Sequence, residues 1–241
     1  MEYKIKPLGE TGLLVSFGEA ISPEIHFQVK ALADYLEQNP FCGMREYVIS
    51  YTSVAIYYNP FVIRKNALPN KDKSALQIVI KLIKEYIQQA ENLPKTAKHI
   101  VEIPVCYGGE YGPDIEYVAQ YNHLTVAEVI DLHTKPEYLV YMIGFCPGFP
   151  YLGGMDKRLA TPRRDTPRLS IPARSIGIAG NQTGGYPIST PGGWQIIGRT
   201  ALDLFDPGQQ DKPSLLTAGD YVKFVAIDEQ EYLSLREGAD K

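Results

Sequence analysis

The chain has 241 residues, 44% of them hydrophobic and 22% charged, which is an ordinary globular composition with enough length for two modest domains or one large β-rich domain. A net charge of −4 argues against a nucleic-acid binder, since duplex recognition requires a basic face. The N-terminus has no signal-peptide pattern, and no run of about 20 apolar residues occurs. We therefore expect a cytoplasmic protein that binds neither nucleic acid nor membrane.

The first ninety residues predict the element order ββαββα. A hairpin is predicted over residues 3–17, and a second one over residues 46–58. Ser22 followed by Pro23 predicts a helix start, and a second helix is predicted over residues 74–90. This order predicts a small N-terminal α/β sandwich domain over residues 1–93, with one helical layer on an antiparallel sheet.

The polar residues 91–98 lack a core-facing periodicity and predict a domain boundary, so a second domain is expected over residues 94–241. It begins with a predicted strand over residues 99–106. Pro113 predicts a short helix, and the capping box of Thr125 and Glu128 predicts another from Val126. Later strands are predicted over residues 137–145, 202–205 and 221–227, which makes the second half mostly β.

The segment between Gly144 and Arg199 is the most unusual part of the chain. It holds eleven of the 21 glycines and seven of the 18 prolines, set among short β-branched and aromatic runs, and this predicts a closed, tightly cornered β structure. Residues 158–199 contain six arginines and a single acid, Asp165, so they carry a net charge of +5 while the rest of the chain carries −9. Several guanidinium groups held close together by a rigid β structure can bind an anion, so this segment predicts an anion ligand.

Five motifs of this chain resemble the allophanate hydrolase subunit 1 family, which includes the B subunit of prokaryotic 5-oxoprolinase and an inhibitor of a sporulation sensor histidine kinase. They are YMIGFCPGFPYLGG at residues 141–154, TPRRDTPR at 161–168, IPA at 171–173, GIAGNQTG at 177–184 and PGGWQIIGRT at 191–200. Two positions depart from the family pattern. Arg174 stands where glycine is usual, either as a ligand contact or as a solvated charge, and Gly185 stands where a β-branched residue is usual.

The resemblance implies an α+β protein whose C-terminal domain is a cyclophilin-like β-barrel. It also implies a subunit of an ATP-dependent 5-oxoprolinase, which converts 5-oxo-L-proline to L-glutamate and is active only with two further subunits. ATP is then a co-substrate held within the complex, because the chain has no P-loop and no Rossmann motif. The alternative implied by the same family is a regulatory protein that inhibits a sensor histidine kinase through its C-terminal domain.

The arginines of residues 161–168 are the first candidates for binding a carboxylate or phosphate. Arg163, Arg164 and Arg168 lie between prolines that restrict the segment, although pairing with acids elsewhere or exposure to water explains them equally well. Arg199 is a further candidate anion contact.

The glycine loops supply the other binding candidates, because glycine-rich backbone can expose several N–H groups to an anion. Gly180 and Thr183 belong to one loop, and Trp194 offers an apolar wall or a core side chain. Gln182 and His133 are the candidate catalytic groups. His133 is expected at the barrel mouth, where a neutral imidazole can accept a proton, or else at a helix C-terminus as a structural residue.

The three cysteines predict neither a disulfide framework nor a zinc site, since Cys42, Cys106 and Cys146 are widely spaced and form no C-x-x-C pair. No metal site is expected in this chain. Cys146 is interpreted as a small buried hydrophobe in preference to a reactive thiol.

Overall fold

The computed structural model describes residues 2–66, 73–93 and 97–239. The chain divides into two compact units, Met1–Ala97 and Lys98–Lys241. The predicted boundary between residues 93 and 94 adjoins residues 94–96, which lie outside the described residues, so the exact limits of the two domains stay a prediction.

The first unit contains a four-stranded antiparallel sheet and three helices. In chain order its elements are β1 (Lys4–Pro7), β2 (Gly12–Ser16), α1 (Pro23–Gln38), β3 (Met44–Ile49), β4 (Ser53–Tyr58), α2 (Pro60–Asn66) and α3 (Ala75–Ala90). The strand order is β1-β2-β4-β3. Both predicted hairpins and both predicted helices are confirmed, whereas α2 was not predicted.

Local capping explains where the long helices of this unit begin. The Ser22 hydroxyl accepts the backbone N–H of Ile25 ahead of α1, with Pro23 at the first helical position. Ser74 and Gln77 form a capping box at α3. The apolar faces of α1 and α3 share one core with alternate residues of the sheet, such as Leu13 and Ile56.

The second unit is built on a closed barrel of seven strands. Its elements are β5 (Ile100–Tyr107), α4 (Ile115–Tyr121), α5 (Val126–Thr134), β6 (Tyr138–Ile143), β7 (Pro150–Gly153), β8 (Arg168–Ile171), β9 (Ser175–Ala179), β10 (Gln182–Gly185), β11 (Thr190–Gly192), β12 (Gln195–Thr200), β13 (Tyr221–Ile227) and α6 (Glu229–Ala239). The barrel order is β10-β7-β6-β13-β5-β12-β9, and β9 pairs with β10 to close it.

The prediction of a mixed α and β protein with a closed barrel is confirmed, while its cyclophilin-like character stays a prediction. β5 and β13 pair in parallel, and the other pairs of the barrel are antiparallel. Residues 202–205 were wrongly predicted as a strand, since they form only an isolated bridge between Phe205 and Ser214. The helix α6 was not predicted.

Two further strands stand apart from the barrel as a small ribbon. β8 pairs with β11 in an antiparallel two-stranded sheet, and the register shifts between Thr190 and Gly192. This ribbon carries Arg168, so that arginine lies outside the barrel strands.

Arg174 occupies a backbone conformation that favours glycine, because its φ is +67°. Its N–H donates to the Tyr186 carbonyl oxygen (2.5 Å), and its own carbonyl oxygen accepts from Thr200 (2.9 Å), so the backbone is fixed in this conformation. The side chain pairs with Asp203 (3.0 Å), which also accepts from Arg236 (3.1 Å). The residue is therefore neither a ligand contact nor a solvated charge, the two alternatives considered above.

We expect Arg174→Gly to be more stable than Arg174→Ala by about 1 kcal/mol, because both variants lose the ion pair but only glycine relieves the left-handed backbone. Urea unfolding of the two variants side by side measures this difference. Equal stabilities, or a more stable alanine variant, would show that the backbone at this position is not strained.

Candidate functional site

Asp114 lies at the centre of a polar network beside β12, and the preceding turn explains its position. After β5 the chain turns through Gly108, and a Cβ added at Gly112 would lie 2.0 Å from the carbonyl oxygen of Ile197, so only glycine allows this close approach. Asp114 then precedes α4, and its N–H donates to the Ile196 carbonyl oxygen (2.8 Å). Its side chain makes no capping bond to the helix.

The buried carboxylate of Asp114 accepts four hydrogen bonds instead. Arg168 donates Nη1 to Oδ2 and Nη2 to Oδ1, both at 2.8 Å, in a bidentate pair. Arg164 Nη1 donates to Oδ1 (3.1 Å), and the backbone N–H of Ile196 donates to Oδ2 (2.7 Å). One carboxylate thus neutralises part of the charge of two arginines and leaves the trio with a net charge of +1.

Arg164 and Arg168 were predicted to bind an anion, with pairing to an acid elsewhere in the chain as the alternative. Nη1 of Arg164 and both terminal nitrogens of Arg168 donate to Asp114, an acid of the same unit, which is the pairing alternative. Arg163 differs from them, because it is exposed and makes no salt bridge with a described residue. Within residues 161–168 it is the guanidinium available to a ligand.

Backbone contacts fix the arginine segment at several points. The N–H of Arg164 donates to the Gly193 carbonyl oxygen (2.7 Å), and Gln195 Nε2 donates to the Pro162 carbonyl oxygen (3.0 Å). Thr161 and Gly180 form an isolated antiparallel bridge. Gly180, a predicted binding residue, is exposed with φ +56° and holds the start of this segment.

Trp194 belongs to a buried aromatic cluster next to these arginines. Its ring makes edge contacts with Phe149 (5.5 Å between centroids) and Tyr186 (6.1 Å), and Ile171 completes the cluster. Burial raises the pKa of the Tyr186 hydroxyl to about 12, against the opposing charges of Arg163 and Arg168. Trp194 is therefore a core side chain, which is one of the two interpretations given above. It packs beneath the arginine segment and does not line a pocket.

The His133 side chain packs against residues of the barrel strands and does not reach the surface. The ring is fully buried and stacks on Phe224 with a centroid distance of 4.5 Å. Nε2 lies 2.9 Å from the Thr183 hydroxyl, which itself donates to the Gly177 carbonyl oxygen, so the histidine must donate. Nδ1 then accepts from the Tyr107 hydroxyl (2.7 Å).

Burial lowers the pKa of His133 to about 3, so the ring is neutral near pH 7. Both nitrogens and the Thr183 hydroxyl are occupied by internal hydrogen bonds. The geometry thus makes His133 and Thr183 a structural pair that ties α5 to β10, and it offers neither of them to a ligand.

The two remaining predicted side chains, Gln182 and Arg199, lie on different strands of the barrel. Gln182 is half-buried at the start of β10, next to the exposed Gly180 loop. Arg199 is on β12, where its guanidinium lies over the Tyr111 ring (5.6 Å). The structure thus brings Arg163, Arg164 and Arg168 together on one segment, but it does not gather all nine predicted residues around one point.

The thiol of Cys146 lies beside the aromatic cluster, and burial raises its pKa. This agrees with its interpretation as a small hydrophobe, since the thiolate is disfavoured there. Among the described residues, no group of three or more His, Cys, Asp or Glu side chains is placed to hold a metal ion. None of the described helices combines the length and apolarity that a membrane crossing requires.

The sequence suggests two roles for Asp114, a first-turn helix charge, which is favoured, or a site carboxylate. Its pairing with two arginines is not predicted, although an acid outside a basic segment is the natural partner for them. Phe145, an exposed aromatic residue within the GFCPGF motif, was not singled out at all. Its only sequence signal is that it follows a glycine and precedes a proline-containing turn.

Comparison with known proteins places this arrangement in a family. Residues 3–216 match the family model described as carboxyltransferase domain, subdomain C and D. The B subunit of 5-oxoprolinase from Bacillus subtilis (strain 168) is 49% identical over 237 residues, which are 98% of this chain and 98% of that protein. The chain belongs to the family of 5-oxoprolinase B subunits. The resemblance found in the sequence motifs is thereby confirmed.

Other relatives of this 5-oxoprolinase family extend the comparison. The B subunit of 5-oxoprolinase from Haemophilus influenzae (strain ATCC 51907 / DSM 11121 / KW20 / Rd) is 39% identical over 221 residues, which cover 92% of this chain and 96% of that one. The solved structure of TTHA0988 is 34% identical with a TM-score of 0.76. It covers 90% of this chain, but this chain spans only 40% of TTHA0988.

Proposed function

We propose that this chain is the B subunit of an ATP-dependent 5-oxoprolinase, which opens the lactam of 5-oxo-L-proline to L-glutamate together with two further subunits in the cytoplasm. The observation that carries this proposal is the 49% identity to a B subunit of 5-oxoprolinase, over 98% of both chains. A similarity that covers almost the whole of both proteins supports the same role in a complex.

The chemistry requires ATP because a lactam is a poor electrophile. Transfer of the γ-phosphoryl group to the amide oxygen forms an activated imidate and releases ADP. Water then adds to the former carbonyl carbon, and cleavage of the ring C–N bond in this adduct releases the amine and leaves an acyl phosphate. A second water hydrolyses the acyl phosphate to the side-chain carboxylate of glutamate and inorganic phosphate. This chain has no P-loop, so we propose that ATP is held within the complex and that its phosphates are bound largely by partner subunits.

The contribution of this chain is to bind negative charge. The substrate carboxylate and a transferred phosphoryl group both favour guanidinium and backbone N–H donors. Arg163 is exposed on a segment whose neighbours Arg164 and Arg168 are fixed by Asp114, so it is held near a constant position. We propose Arg163 as an anion contact, with Gln182 as the next polar candidate.

The test measures 5-oxoproline-dependent ADP release by the chain alone, by the partner subunits alone and by the reconstituted complex. We expect activity only in the complex, and a KM for 5-oxoproline at least about tenfold higher with Arg163→Ala, the loss expected for one charge-assisted hydrogen bond. Arg158→Ala is the matched control, because Arg158 is exposed and pairs with Asp156.

Two results would contradict the proposal. An inactive reconstituted complex would remove the oxoprolinase assignment, and inhibition of a sensor histidine kinase by the chain would then favour the regulatory alternative. Equal KM values for Arg163→Ala and Arg158→Ala would remove Arg163 as an anion contact while leaving the enzyme assignment intact.

A further inference from the structure

Three exposed apolar side chains of the second unit come from three different segments, and each is within four residues, along the chain, of a member of the aromatic cluster. Phe145 is 63% exposed, Leu169 is 92% exposed and Ile188 is 39% exposed. We call these three residues the apolar rim. Exposed apolar side chains of this size on neighbouring segments often mark a surface that binds another protein.

Contacts within the unit place these segments side by side. The Phe145 ring meets the Phe149 ring edge-on at 5.4 Å. A Cβ added at Gly148 would lie 3.3 Å from Pro187, the residue before Ile188. The hydroxyls of Ser170 and Ser189 lie 2.9 Å apart and connect the neighbours of Leu169 and Ile188.

Phe145 is held in place by a strained turn. Its φ is +65°, and the N–H of Cys146 donates to the Gly144 carbonyl oxygen (2.7 Å), which closes a three-residue turn around it. A bulky side chain is strained in this conformation, which is found mainly where function requires it. The turn keeps a large aromatic ring rigidly exposed, as in the anchor residues of protein interfaces.

The strand β8 beside the rim has an unpaired edge. It pairs only with β11 within the described parts of the chain, and Leu169 lies exposed on it. An unpaired strand edge can accept a further strand by backbone hydrogen bonds, while adjacent side chains provide selectivity. The nearby arginine segment, with exposed Arg163, disfavours a basic occupant and favours an acidic one.

We propose that the apolar rim and the outer edge of β8 bind an extended, apolar and acid-bearing segment of a partner subunit. The identity of the partner as an oxoprolinase subunit rests on the proposed function. Docking there would place the partner directly beside Arg163.

Affinity for the partner subunits, measured by isothermal titration calorimetry with purified proteins, tests the proposal. Phe145→Gly removes the ring and relieves the strained turn, so this variant should be at least as stable as the natural chain yet bind about 30-fold more weakly. Leu169→Asp should weaken binding to a similar extent. Leu233→Asp is the matched control, because Leu233 is a similarly exposed leucine (49%) on α6.

Unchanged affinity in both rim variants would overturn the proposal, as would equal weakening by Leu233→Asp. A natural chain that self-associates through Leu169, shown by a concentration-dependent mass that Leu169→Asp abolishes, would also overturn it in favour of a second copy as occupant. If the partner subunits bind and the rim variants weaken that binding, but the complex does not turn over 5-oxoproline, the docking surface is supported and the proposed function is contradicted.

Discussion

Replacement of Asp114 by alanine is expected to lower the free energy of unfolding of the second unit by about 3 kcal/mol. The substitution leaves Arg164 and Arg168 without their carboxylate and the buried N–H of Ile196 without its acceptor. The expected loss is below the largest values for buried pairs, since both arginines are partly exposed and can turn to water.

Trp194 provides a selective measurement, because it is the only tryptophan of the chain and lies in the second unit. Its fluorescence during urea unfolding should show a midpoint about 1–2 M lower for Asp114→Ala at an unchanged slope. Asp114→Asn should also be destabilised, since its amide presents N–H groups to guanidinium donors. Asp165→Ala, which removes an exposed acid of the same segment, is the control and should stay within about 0.5 kcal/mol. A midpoint for Asp114→Ala equal to that of this control would contradict the network.

The second large effect that we expect is a fall in the free energy of unfolding of the second unit in mild acid, because His133 is buried in its neutral form. In the unfolded chain a histidine has a pKa of about 6.5, whereas burial lowers the pKa of His133 to about 3 in the folded protein. Below pH 6.5 the unfolded state therefore binds more protons than the folded state, and the free energy of unfolding falls as the pH falls. Above pH 6.5 both states are neutral at this residue and its contribution is constant.

The expected loss from His133 between pH 8 and pH 5 is about 2 kcal/mol, and it continues toward pH 3. Urea midpoints followed by Trp194 fluorescence across this range measure it. His133→Gln keeps a donor and an acceptor without a titrating ring, so its stability should depend less steeply on pH even if it is lower throughout. Parallel pH profiles for the natural chain and the variant would show that His133 is protonated equally in both states.

The sequence predicts the fold well where local signals and core periodicity coincide. The cap at Ser22 and the capping box of Thr125 and Glu128 mark helices that the structure contains. The strand predicted over residues 202–205 does not form. Leu204 packs into the barrel core, but the segment has no continuous neighbouring strand to pair with. Apolar pattern alone does not distinguish those two situations.

The candidate site was less predictable, because it depends on contacts far apart in the chain. The sequence locates the arginines of residues 161–168, but their partner Asp114 lies about 50 positions away and only the barrel brings it near. His133 shows the same limit. A histidine at a helix end can face water or the core, and only the positions of Tyr107 and Thr183 decide between them.

The network of Asp114, Arg164 and Arg168 also restricts how this protein can evolve. A neutral residue at position 114 leaves two cations facing each other, and the loss of either arginine leaves part of the carboxylate unsatisfied. Every single exchange therefore passes through a less stable intermediate, so lineages should either keep all three residues or replace them together.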